Sequence, residues 1–128
     1  MTGQIARHGS GGPYEASIGY SRVVVANGFA VTAGCTATID GKVAHPGDPA
    51  AQAGVAIANA LGALEKVGVA PERVVQSRLY LTDRAHADAV GAAHGAAFGG
   101  IRPAATMVVV AGLIDPDMLV EVELVAAV

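Results

Sequence analysis

Residues 72–83, "ERVVQSRLYLTD", alternate like a strand of which neither face is plainly given to water. Val75, Ser77, Leu79 and Leu81 face one way; Val74, Gln76, Arg78 and Tyr80 face the other, because successive side chains of a strand point to opposite sides. Such a strand belongs in a sheet covered on both faces. A chain of 128 residues makes one domain and has too few helices to cover both, so the second face calls for oligomerisation.

The helices lie on either side of this strand. Upstream, "GDPAAQAGVAIANALGALEKVGV" (47–69) has both ends marked: Asp48 as N-cap, Pro49 at the first helical position and Gly68 past the end. Ala53, Ile57, Leu61, Leu64 and Gly68 make its buried face, while Gln52, Asn59 and Lys66 recur every seven residues on the expected wet side. Downstream, a second helix is expected from about Arg84 to Phe98, with Asp83 as N-cap and Val90, Ala97 and Phe98 as its apolar edge. Strands follow at about 104–111 and 119–126. Before the first helix, "SRVVVANGFAVTAGC" (21–35) places β-branched runs around Asn27-Gly28, the pair favoured in a tight type I′ hairpin, with strands at about 20–26 and 29–35. "TIDGKVAH" (38–45) repeats the logic around Asp40-Gly41. This order gives an α+β fold, a mixed β-sheet with two helices packed on one face.

Composition narrows the function. Hydrophobic residues are 52% and aromatics 4%, so Val, Ala, Leu and Ile must fill the core. No apolar run approaches the roughly 20 residues of a membrane span, and "MTGQIARHGSGG" has no apolar leader segment. The single cysteine, Cys35, excludes an internal disulfide and suggests a cytoplasmic setting. A net charge of −3 with scattered Lys and Arg disfavours nucleic acid as a partner. His8, His45 and His86 show no metal-site spacing, and no metal is expected.

The landmarks "GGPYEASIGYSR", "VTAGCT", "DPAAQAGVAIANALGALEKVGV", "VVQSRLYLTD", "RPAATMVVVAGL" and "VEVE", in that order, resemble the Rid family, the reactive intermediate deaminases also called YjgF/YER057c/UK114. The resemblance covers nearly the whole chain. It implies a chorismate-mutase-like fold, a homotrimer and small-molecule sites in clefts between subunits. It also implies hydrolysis of enamines and imines to ketones and ammonia, with no metal or organic cofactor.

By the same resemblance Glu121 is the catalytic residue that positions the water. Tyr14, Gly34, Cys35, Thr106 and position 105 belong to the substrate-binding cleft. The family's deaminases hold a substrate carboxylate with an arginine in Pro-Ala-Arg-Ser/Thr, whereas this chain has Pro103-Ala104-Ala105-Thr106. It looks like an Arg-lacking branch, and alanine supplies none of the guanidinium's bidentate grip. Arg102, at the loop end of the strand, is the candidate substitute, and Arg22 could serve there or between subunits. Other readings stay beside these. Glu121 and Glu123, about 7 Å apart on one strand face, could simply pair with Arg78 or Arg22. Cys35 could be a small buried hydrophobe, and His94 a packed or interfacial histidine. A non-catalytic trimer that binds a metabolite or protects other proteins is the alternative function, and ribonuclease activity a further one that the acidic balance opposes.

Overall fold

The computed structural model describes residues 3–128. Its centre is a six-stranded sheet built from β1 (Ile5–His8), β2 (Val23–Ala26), β3 (Phe29–Thr32), β6 (Val74–Leu81), β7 (Ala104–Val109) and β8 (Val120–Ala127). The strand order is β1-β2-β3-β8-β6-β7. Only β6 and β7 run parallel, joined through the second helix; every other neighbouring pair is antiparallel. A separate two-stranded ribbon pairs β4 (Thr38–Ile39) with β5 (Lys42–Val43).

Local chemistry sets the turns. Asn27 and Gly28 both have positive φ (51° and 81°), as a type I′ hairpin requires, and Asp40 and Gly41 repeat it at 51° and 77°. The first hairpin is shorter in regular strand than its pattern suggests, although Ala33 N–H still donates to Arg22 O at 2.8 Å beyond the strand ends. β1 has no counterpart in the sequence reading: its residues are all exposed, so no buried face prints a pattern.

Helix α1 (Pro49–Glu65) begins where expected, with the Asp48 carboxylate accepting from Ala51 N–H at 3.1 Å. Its last turn closes as Val69 N–H reaches back to Leu64 O at 3.0 Å. Gly68 takes the positive φ of a C′ residue, but it is exposed and forms no part of the buried face. The wet side is the larger correction. Gln52 is fully buried: Nε2 donates to His45 O (3.2 Å) and Asp117 O (2.8 Å), and Oε1 accepts from Leu119 N–H at 2.9 Å. Asn59 donates to Thr36 O and Thr38 O at 2.9 and 3.0 Å. An amide goes inside when its polar atoms find partners, as both of Gln52's do, and with the half-buried Asn59 it ties α1 to the loops around it.

Helix α2 (Ala87–Phe98) follows a single 3₁₀ turn at Arg84–His86, where Asp83 accepts from Ala85 N–H at 2.8 Å. Val90 and Phe98 are buried, whereas Ala97 is exposed and lies off the apolar edge. In β6 a bulge between Val74 and Gln76 reverses the expected faces at the start of the strand, so Val74 is buried and Val75 exposed. From Ser77 onward the alternation holds, with Ser77, Leu79 and Leu81 beneath the helices.

Both helices cover one face. There Leu79, Leu81, Val122 and Leu124 meet the small-residue surface of α1 and the Phe98 ring of α2. The opposite face is open: Phe29, Val31 and Val108 are each more than two-fifths exposed beside Gln76, Arg78 and Tyr80. No described helix is long and apolar enough to cross a membrane.

Candidate functional site

The open face carries the carboxylates of β8. Strand register sets Glu121 beside Tyr80 and Glu123 beside Arg78. The segment after β3 then closes over β8: Cys35 N–H donates to Val122 O at 2.7 Å, and Val122 N–H returns the bond to Cys35 O at 2.8 Å. This bridge lays Gly34 against the Glu121 side chain. A Cβ at position 34 would stand 2.8 Å from Glu121 Cδ, so only glycine lets the carboxyl rest there.

Arg22 braces the same corner. Its guanidinium donates to Gly34 O at 2.7 Å, to Cys35 Sγ at 3.5 Å and to the Tyr20 hydroxyl at 3.3 Å. It also sits 5.5 Å from the centre of the Tyr20 ring, within cation–π range. Arg22 therefore holds backbone and thiol, and forms no ion pair with Glu121. The Glu121 carboxyl, half-buried, accepts no hydrogen bond among the described residues. Burial raises its pKa, the charge of Glu123 raises it further, and Arg22 pulls it partly back. A shift in this direction brings a carboxyl closer to the range useful for general acid–base work.

Glu123 has a different setting. It accepts from the Tyr80 hydroxyl at 2.5 Å and lies 3.6 Å from Arg78. The bond to Glu123 keeps the Tyr80 proton in place and pushes that phenol's pKa up. The Cys35 thiol is buried, which raises its pKa despite Arg22 beside it. A thiol held neutral is a packing group more than a nucleophile.

Residues 13–128 match the family model described as Endoribonuclease L-PSP. The chain belongs to that family. Its relatives include the uncharacterized protein SCO2049 of Streptomyces coelicolor, 39% identical over 127 residues, covering 98% of this chain and 95% of the relative. Rv2704 from Mycobacterium tuberculosis, a member of the YjgF/YER057c/UK114 family, superimposes with a TM-score of 0.87 at 38% identity, over 98% of this chain and all of that one. The conserved Rid-family protein YyfA from Yersinia pestis gives 0.80 at 25% identity, over 86% and 88%. The mixed sheet with two helices on one face is thus the fold of the YjgF group.

Within this chain, the residues singled out from sequence do not all meet. Glu121, Gly34 and Cys35 come together. Thr106 lies two strands away on the same face, in line with Arg78 and Glu123. Ala105 pairs with Ser77 and so belongs to the helix-side face, opposite Glu121. Arg102 stands exposed at the bend before β7 with φ +58°, its N–H bonded to Phe98 O at 2.8 Å as a cap for α2. Tyr14 is 65% exposed, at the entry to a π-helical turn over Glu15–Gly19. At the start of that turn the Glu15 carboxylate accepts from the Ser10 N–H and hydroxyl, which lowers its pKa and folds the glycine-rich stretch back. Tyr20 is the participant that sequence reasoning passed over. Its spacing of two from Arg22, on one side of an extended segment, was the available signal.

Proposed function

We propose that this chain hydrolyses a small imine or enamine at clefts between the subunits of a cytoplasmic homotrimer, with Glu121 as the acid–base residue. The observation that carries the reading is the Glu121 carboxyl, half-buried, without an ion-pair partner and resting on Gly34. In the proposed reaction Glu121 takes a proton from water as the hydroxyl adds to the C=N carbon. The proton then passes to nitrogen, giving a carbinolamine; Glu121 takes the proton of the added hydroxyl and hands it to nitrogen as the C–N bond breaks, so one imine and one water become one ketone and one ammonia. For an enamine, protonated Glu121 first delivers its proton to carbon. Positioning and one acid–base group suffice for so electrophilic a carbon.

Two features support an intersubunit cleft. Ala105 and Glu121 lie on opposite faces of one sheet, so a site using both must draw them from different copies. The open face also leaves Phe29, Val31 and Val108 without cover. In this reading Gly34 and Cys35 form the floor beside Glu121, while Tyr14, Arg102, Ala105 and Thr106 contact substrate from the rim. The alternative, a trimer that binds a metabolite or shields other proteins without turnover, is favoured by one fact: both arginines near the carboxylates, Arg22 and Arg78, are already engaged. Ribonuclease chemistry is opposed by the net charge of −3 and the lack of a basic stripe.

Freshly generated imines, neutral and carboxylate-bearing, with ammonia release as readout, separate these readings. Release that disappears in Glu121→Gln supports hydrolysis, and no release from any of them favours the binder. Sedimentation giving a monomer near 12.7 kDa would sink the intersubunit site.

A further inference from the structure

Residues 9–21 connect β1 to β2, and the ends of this loop are tied together: Arg22 N–H donates to His8 O at 2.8 Å. Within the loop, Ser10 N–H donates to both oxygens of Glu15, at 3.0 and 3.1 Å, and the Ser10 hydroxyl donates to Oε2 as well. Glu15 N–H returns to Gly12 O at 3.3 Å. Loops closed at the base and held by their own side chains are frequently functional. The downstream root of this one lies at the candidate site. Tyr20 and Arg22 leave the loop there, and Arg22 holds the carbonyl of Gly34, the residue on which Glu121 rests.

The glycines before Tyr14 make room for the carboxylate. A Cβ on Gly9 would stand 2.6 Å from Glu15 Oε1, and one on Gly12 would stand 3.3 Å from Oε2. Gly9 has no positive φ, so it supplies clearance and not backbone freedom. The bond from the Ser10 hydroxyl, above all, holds the Glu15 pKa below the ordinary carboxylate value. The group is therefore charged at neutral pH, and a charged acceptor makes the stronger bond. What this latch presents is apolar: Tyr14 and Ile18, four residues apart on the turn, are 65% and 71% exposed. The chain gives these two side chains little cover, so fixing the loop serves a contact outside it. The latch is made within one chain. It sets the loop before a second copy arrives, whichever copy's cleft Tyr14 then serves.

We propose that Glu15 is a positioning residue: its carboxylate, bound to Ser10 in the room left by Gly9 and Gly12, holds the loop so that Tyr14 stands in place for the substrate. The proposal deepens the reading of Tyr14 as a substrate contact and rests on it. Without the latch Tyr14 is in place for only a fraction of the time, and apparent affinity falls by that fraction. A fraction of about one-tenth raises KM about tenfold, while saturating substrate restores the arrangement and leaves kcat nearly unchanged.

Wild type, Glu15→Ala, Glu15→Gln and Gly9→Ala are compared on the same imines by ammonia release, and by backbone amide relaxation NMR over residues 9–21. Glu15→Ala and Gly9→Ala should each raise KM about tenfold, keep kcat within about twofold and loosen the loop. Glu15→Gln keeps an acceptor oxygen for Ser10 and should fall between. Combining Glu15→Ala with Gly9→Ala should be no worse than Glu15→Ala alone, since both undo one latch. If Glu15→Ala fails to fold, Gly9→Ala carries the test with the carboxylate still present. An unchanged KM, a loop still ordered without the carboxylate, or losses that add in the double variant would each overturn the proposal. Turnover that depends on Glu121 but ignores both loop variants removes the latch alone. If wild type turns over no imine, the hydrolase reading falls, and the same proteins are titrated with pyruvamide and pyruvate, a neutral and a charged ketone. Binding weakened about tenfold by Glu15→Ala then keeps the latch, and equal or absent binding removes it.

Discussion

Glu121 and Glu123 stand two residues apart on the same face of β8, and the sheet treats the two ends of that short stretch in opposite ways. Around Glu123 the neighbouring strand supplies a tyrosine hydroxyl and an arginine, and the carboxylate is tied down. Around Glu121 the covering segment supplies a glycine, and the nearest arginine turns to the backbone instead. In sequence the two glutamates carry the same signal. Their cross-strand surroundings decide which is a structural charge and which is left able to exchange a proton.

The sharpest break of this comparison is a pair of substitutions. On a confirmed imine substrate, Glu121→Gln should cost about 10²–10⁴-fold in turnover, the usual worth of general acid–base help. Glu123→Gln should stay near the wild-type rate, with ammonia release measuring both. Equal losses would mean that the two carboxylates act as one unit.

Gly34→Ala tests the contact itself. The added methyl falls 2.8 Å from Glu121 Cδ, so the carboxyl must move. Overpacking of this kind costs about 1–3 kcal/mol of stability, readable by urea unfolding. Turnover should fall as well, and a fully active Gly34→Ala protein would show that the resting position of Glu121 is not the reacting one.

The pH dependence of stability separates the two glutamates more gently. The folded protein holds the Glu121 proton more tightly than the unfolded chain does, since its pKa is raised above the ordinary 4.5. Its charged form therefore destabilises the fold at neutral pH, and the penalty is relieved as pH falls through the folded pKa towards 4.5. Glu121→Gln should melt higher than wild type at pH 7, with the gain shrinking on acidification; a gain unchanged down to pH 4.5 would contradict the raised pKa. The smallest effect belongs to the tied end. Tyr80→Phe removes one partly exposed bond to Glu123 and should cost less than about 1 kcal/mol.

What could be read in advance was whatever short-range chemistry decides. Asn27-Gly28 specifies its turn, and Asp48-Pro49 specifies a helix start, because the residues that respond are adjacent. Gln52 and Asn59 defeated the periodicity argument because their partners, Asp117, Leu119, Thr36 and Thr38, are brought in by the fold. Val74 and Val75 exchanged faces through a bulge that no alternation pattern announces. The candidate site divides in the same way. Resemblance pointed to Glu121 and Gly34 separately, but their contact depends on Cys35 bridging to Val122. The roles of Tyr20 and Arg22 follow from that bridge as well.

The place of β8 in the sheet has a consequence for how the chain acquires its shape. It comes later in sequence than every strand it touches, yet it lies in the middle, between β3 and β6. Until β8 has left the ribosome, the nascent chain holds two unjoined fragments, β1-β2-β3 and β6-β7, each with an unsatisfied edge where the centre will be. Their union waits on contacts of long sequence separation, such as Phe29 with Ala127, which makes folding slow for a domain of this size. The vulnerable interval is therefore the time before β8 emerges, when both open edges are available to strands of other chains.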